Sequence, residues 1–207
     1  MVAFLAPFAV EVHNFSMPGA TAKYHLASQL AWFFSRFSKK GQDESETVSL
    51  DPEETTYVLF LGINDCGTTD ADDLEPIVDV IFDTVHQLYI RARARNFVII
   101  NVPPIDRSPA GLSFSAELED RIETWNDLLQ KETADFASGG TQATQSVFLF
   151  SSNAVLTDVL DSPVKYKFSE KDVMQAGGSI WEDELHITSS VQKVIAEQFI
   201  HAMESNL

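Results

Sequence analysis

Near its end the sequence reads Trp181-Glu182-Asp183-Glu184-Leu185-His186. A carboxylate three residues before a histidine, in a loop, can bond one ring nitrogen and fix the tautomer. The other nitrogen can then take a proton from a hydroxyl as a general base. The same short pattern also fits a solvated acidic loop that happens to contain a histidine. The chain carries its own control, because Asp83-Thr84-Val85-His86 has the same spacing. That copy falls within a helical repeat, with both polar residues off the apolar stripe, so it reads as a solvated helix face. Trp181, two residues before Asp183, fits either packing or contact with a substrate.

Two other segments offer donors rather than a base. Gly62-Ile63-Asn64-Asp65-Cys66-Gly67 follows an apolar, β-rich run. Glycine there permits a tight turn or a close approach, and the amide of Asn64 can stabilise a developing oxyanion. A plain turn is the competing reading, since Asn, Asp and Gly all form turns. In Asn14-Phe15-Ser16-Met17-Pro18-Gly19-Ala20-Thr21 the backbone N–H of Gly19 could serve the same oxyanion, although a Pro-Gly turn before a helix explains the segment equally. His13, His25 and His201 show no metal-ligand spacing, and the single Cys66 excludes an internal disulfide and a Cys-rich metal centre. Neither a phosphate-binding G-x-x-x-x-G-K-[S/T] nor a Gly-rich fingerprint after a strand occurs, which counts against a nucleotide-binding domain. No cofactor and no metal are expected.

These residues need a frame, and the pattern alternates strand and helix. Val10 to Phe15 reads as a short strand. Ala22 to Phe37 reads as a helix with Leu26, Leu30, Phe33, Phe34 and Phe37 on one stripe. Lys39 to Glu54 is polar and turn-rich, hence a surface loop. Tyr57 to Leu61, Phe97 to Val102 and Ser146 to Phe150 are continuous apolar runs, as in strands covered on both faces. Asp70 to Asp73 offers an N-cap, with Pro76 in the first turn of the next helix. That helix buries Leu74, Ile77, Val78, Ile81, Phe82, Val85, Leu88 and Tyr89. Leu118, Ile122, Trp125, Leu128 and Leu129 mark another helix, and a last one begins near Thr188 or Ser189. Asp161 to Trp181 reads as irregular. Buried strands alternating with amphipathic helices predict an α/β three-layer sandwich with a parallel sheet. Sites in such folds collect beyond the carboxyl ends of the strands.

The 207 residues suit one domain, and 15 phenylalanines favour a packed core. A formal net charge of −17 argues against nucleic acid or an anionic membrane as partner. No run is long enough to span a bilayer. Met1 to Val10 is apolar but no basic residue precedes it, so it reads as core sequence rather than as an export signal.

Taken in order, N-F-S-M-P-G, G-I-N-D and D-E-L-H resemble the second, third and fifth blocks of the GDSL/SGNH hydrolase family. The longer stretches Y-V-L-F-L-G-I-N-D-C-G, N-V-P-P-I-D-R-S-P and W-E-D-E-L-H are similar to fungal acetylesterases of carbohydrate esterase family 16. The resemblance runs from Asn14 to the C-terminus. It implies a flavodoxin-like SGNH hydrolase fold, with Gly19 and Asn64 as oxyanion donors, His186 as base and Asp183 as its orienting partner. The implied reaction is acyl transfer through an acyl-serine, the implied partner a small ester such as an acetylated sugar or oligosaccharide, and the implied location extracellular.

One departure is large. The family's first block, G-D-S, carries the nucleophile, and no Gly-Asp-Ser occurs in this sequence. The expectation is therefore a single SGNH-like domain over 1–207, N-terminally incomplete, lacking the first, internal strand and poor in turnover. Ser16 has no strand–turn–helix elbow to aim it at His186, and Ser151 and Ser152 read as the start of a helix. The alternative is a pseudoenzyme of the same fold that only binds carbohydrate.

Overall fold

The structure is a computed structural model that describes residues 10–40, 46–139 and 145–205. Its elements in chain order are α1 (Ala22–Phe37), β1 (Ser38–Lys40), β2 (Glu46–Val48), β3 (Thr56–Phe60), α2 (Ile63–Thr68), α3 (Glu75–Arg91), β4 (Asn96–Ile100), α4 (Ser115–Ser138), β5 (Ser146–Phe150), α5 (Ser152–Asp161) and α6 (Ser189–Ser205). Short 3-10 turns lie between several of them. The chain divides into two compact units: Phe15–Asn101 with Glu123–Leu149, and Val102–Ile122 with the residues up to Asn14 and those from Phe150 onward.

In the first unit β3, β4 and β5 form a parallel sheet in that order, with β3 in register on β4 from Thr56 opposite Asn96 to Phe60 opposite Ile100. The α/β architecture expected from the alternating pattern is therefore present. Helices α1 and α3 bury the stripes their sequences carry. Leu26, Leu30, Phe33 and Phe34 are buried on α1, and Ile77, Val78, Ile81, Phe82, Val85 and Leu88 on α3. Aromatic rings link helix to sheet, with centroid distances of 5.6 Å for Phe33–Tyr57, 5.8 Å for Tyr57–Phe97 and 5.5 Å for Phe97–Phe136. Burial pushes the Tyr57 phenol up to about 12, because the charged form would lose its water. In the second unit Leu156, Val159, Leu160, Ile180, Trp181 and Val191 form a buried cluster.

Several expectations fail locally, each for a physical reason. Val10 to Phe15 is not a strand. Val10 and Val12 are exposed, while Phe15 turns its ring onto Trp32, Phe33 and Phe37 of α1. β-rich composition alone makes no strand, and among the described residues this segment joins no ladder. The remainder of the expected core run, 1–9, lies outside the described residues. β3 is covered on one face only: Tyr57 and Leu59 are buried, but Val58 and Phe60 are 52 % and 40 % exposed. It stands at the end of the described sheet, whereas β4, with a strand on each side, is buried almost throughout. The expected loop 39–54 contains the antiparallel pair β1–β2. Asp70 precedes a 3-10 turn, not α3 itself, whose first turn holds Pro76 as expected. The irregular stretch before Trp181 includes two further 3-10 turns.

Candidate functional site

Chemistry after β3 begins with Gly62, which adopts φ +114° and caps α2. A Cβ there would lie 2.3 Å from the Trp125 indole, so both the backbone angle and the space require glycine. The expected turn is thus a short helix. Its first backbone bond runs from Cys66 N–H to the Gly62 carbonyl at 2.8 Å. Asn64 and Asp65 are consecutive in α2, and both reach the start of α1. Asn64 Nδ2 donates to the Ala20 carbonyl at 3.0 Å. An amide NH2 has two hydrogens, so this bond leaves one for a further acceptor. Gly19, just before Ala20, takes φ +69° in the turn that feeds α1.

The start of α1 is fully accounted for. Ala22 N–H and Lys23 N–H donate to the two Asp65 carboxylate oxygens at 2.9 and 3.3 Å. Tyr24 N–H donates to the Thr21 hydroxyl at 3.2 Å, and Thr21 N–H donates to His25 Nδ1 at 3.1 Å. These are the donors that a helix N-terminus otherwise leaves unpaired. Since a backbone N–H can only donate, His25 Nδ1 is the acceptor and the neutral ring holds its proton on Nε2.

The second unit carries Asp183 and His186. Glu182 N–H bonds the His186 carbonyl at 2.7 Å and Thr188 N–H bonds the Ile180 carbonyl at 2.9 Å, which closes a tight excursion of the chain. Glu184 C=O accepts from Ala110 N–H at 2.8 Å. At the tip, Asp183 Oδ1 accepts the backbone N–H groups of Leu185 and His186, both at 2.7 Å. Oδ2 lies 2.8 Å from His186 Nδ1. A carboxylate can only accept, so Nδ1 carries the proton, and the neutral ring presents its lone pair on Nε2. This tautomer is the reverse of that of His25, and it is the one a general base needs. The backbone N–H bonds of His186 and Leu185, followed by the ring, pull the Asp183 carboxyl down to about 2. The pair is open to solvent, with side chains 76 % (His186) and 56 % (Asp183) exposed.

The helical copy of the same spacing behaves differently. His86 Nδ1 meets the Phe82 carbonyl one turn back at 2.8 Å, and its ring stands edge-on to Phe136. Trp181 is fully buried and donates its indole N–H to the Val173 carbonyl at 2.8 Å. That placement is packing, and contact with a substrate would require the ring to be uncovered. Ser151 caps α5 by accepting from Ala154 N–H, and Ser152 is its first residue. The structure therefore brings Asn64 to the segment that follows Gly19, and Asp183 to His186. It also shows a residue that sequence reasoning passed over. Asp65 is 1 % exposed, and its partners lie more than forty positions away, where no local pattern signals them.

An acetylesterase from Thermothelomyces thermophilus is 23 % identical over 219 residues, spanning 94 % of this chain and 70 % of the relative. Residues 3–199 match the GDSL-like lipase/acylhydrolase family. With nearly the whole sequence matched, the chain belongs to that family.

Proposed function

We propose that this chain serves the hydrolysis of small carboxylic esters, with acetylated sugars or short oligosaccharides as the substrate class. Family membership supports an esterase-type hydrolase, and the acetylesterase relative supports the acetyl group. In the family reaction His186 Nε2 takes the proton of the attacking hydroxyl as its oxygen adds to the ester carbonyl. The Gly19 N–H and the remaining Asn64 N–H stabilise the oxyanion. Collapse expels the alcohol, which takes the proton back from His186, and water then cleaves the acyl intermediate. The observation that carries this reading is the 2.8 Å bond between Asp183 and His186 Nδ1, which holds the ring in the tautomer of a base.

No Gly-Asp-Ser is present in the sequence, so no serine is assigned as nucleophile. The chain should therefore work at the level left when a hydrolase loses its serine, about 10³–10⁴-fold over water, from oxyanion binding and substrate binding alone. The test is release of chromophore from an acetate ester by the purified chain. We expect a small rate above the buffer blank that Asn64→Ala reduces. Full turnover surviving Ser16→Ala would show a nucleophile elsewhere in the chain. A rate equal to the blank would favour a second reading, a chain of this fold that binds carbohydrate without cleaving it. Calorimetric titration with an acetylated xylo-oligosaccharide then detects that binding directly.

A further inference from the structure

The two oxyanion donors sit on separate segments, and their spacing must be held by something other than the chain between them. Asn64 alone contributes one bond to that spacing, from Nδ2 to the Ala20 carbonyl at 3.0 Å. Its neighbour Asp65 contributes two more. One carboxylate oxygen takes Ala22 N–H at 2.9 Å and the other takes Lys23 N–H at 3.3 Å. Two acceptors on one planar group, each facing a different N–H, fix direction as well as distance. The carboxylate also meets the positive end of the sixteen-residue α1. Asp65 is almost wholly buried, so water does not compete for these bonds. Within the segment Thr21 serves only Tyr24 N–H, so Ala22 and Lys23 N–H rely on Asp65 from the other loop.

From this geometry we infer that Asp65 is a positioning residue for the oxyanion donors: by clasping Ala22 and Lys23 it holds the Gly19 turn at the distance from Asn64 that lets both donors meet one oxygen. Asp65 touches no reacting atom and acts through Gly19 and Asn64. The inference rests on the proposed ester hydrolysis only for its consequence in catalysis. The clasp itself is a property of the folded chain.

The experiment is amide exchange and 15N NMR on the full chain, with Asp65→Asn and Asp65→Ala. In the unsubstituted chain Ala22 N–H and Lys23 N–H should exchange with a common protection, because one opening of the Asp65 clasp releases both. Loss of a bond to a charged acceptor should speed exchange at Ala22 and Lys23 about tenfold or more in Asp65→Ala. Asp65→Asn keeps an acceptor oxygen and should fall between. In both variants the Asn64 NH2 and Gly19 amide signals should move, while the β4 amides stay in place. Release of Ala22 and Lys23 with Asn64 and Gly19 unmoved would overturn the inference, leaving a helix cap alone. Unequal protection in the unsubstituted chain would overturn it as well, without need of a variant. In the ester assay, Asp65→Asn should lower kcat about tenfold with KM unchanged, and a parallel rise in KM would also count against it. A blank rate in the unsubstituted chain would sink the hydrolase reading and leave the amide signals to decide the role of Asp65.

Discussion

The proposed oxyanion donors and the proposed base are built in opposite ways. Asn64 and Asp65 find their partners across 42 to 44 positions of chain, in a setting that excludes water from the carboxylate. Asp183 finds all of its partners within three residues, at an exposed tip. Oxyanion donors act only if they are held before charge develops, since reorganising them during the reaction would cost what they supply. A histidine base needs only the correct tautomer and a fixed ring, and a turn of four residues provides both. The first arrangement depends on the fold of its unit. The second is largely complete in its own few residues.

The strongest way to break that contrast is Gly62→Ala. The new Cβ would meet the Trp125 ring at 2.3 Å on a backbone at φ +114°. Overpacking of about 1–3 kcal/mol and a left-handed penalty of about 1–2 kcal/mol predict a loss of about 2–5 kcal/mol, read from the urea midpoint. Trp125→Phe removes the atoms in the clash and should recover part of it in the double variant. A loss under about 1 kcal/mol, typical of an unconstrained surface site, would show that the Asn64 loop does not depend on this packing.

The same contrast explains what could be read from the sequence. Helix α1 falls on Ala22–Phe37 because one apolar stripe is buried, and β5 falls on Ser146–Phe150 as its composition predicts, although only Phe150 of that run is buried rather than the whole run covered on both faces. The Asp183–His186 bond was visible as spacing, because its partners are neighbours in the chain. The Asp83–His86 copy was separable because helix periodicity hands the ring to the Phe82 carbonyl one turn back. What failed depends on distant chain. Val58 and Phe60 look like core residues, but only a strand or helix lying over them could make them so. Val10 to Phe15 has strand composition but is in no ladder among the described residues. Gly62 to Gly67 has turn composition, yet the Trp125 ring and the N-terminus of α1 support it as a helix. Asp65 carried no signal, because an acidic residue in a first helical turn ordinarily serves its own helix, and this one serves α1.

Asp183→Ala is the intermediate case. It removes three bonds at once, but all are exposed and water can replace them. The urea midpoint should stay at the parental value, in contrast with Gly62→Ala. What should change is the ring: 15N shifts of His186 should lose the Nδ1–H preference, and the small ester rate should fall with it. A marked drop in midpoint would mean that the tip supports its unit after all.

The smallest effect concerns the carboxyl of Asp183 itself, and it separates the turn from the ring. The backbone N–H bonds of His186 and Leu185 contribute most to lowering it, and the bond to the ring adds less. His186→Ala keeps both backbone N–H groups, so the 13C titration midpoint should move only part of the way from about 2 toward the ordinary 3.8. The sign follows from a depressed carboxyl: the turn is favoured in full above the ordinary value, and that contribution is lost as pH falls through about 2. That partial shift would show that the turn, through its two backbone N–H groups, aims the Asp183 carboxylate independently of the ring. A midpoint that returned fully to 3.8 in His186→Ala would instead make the ring the organiser.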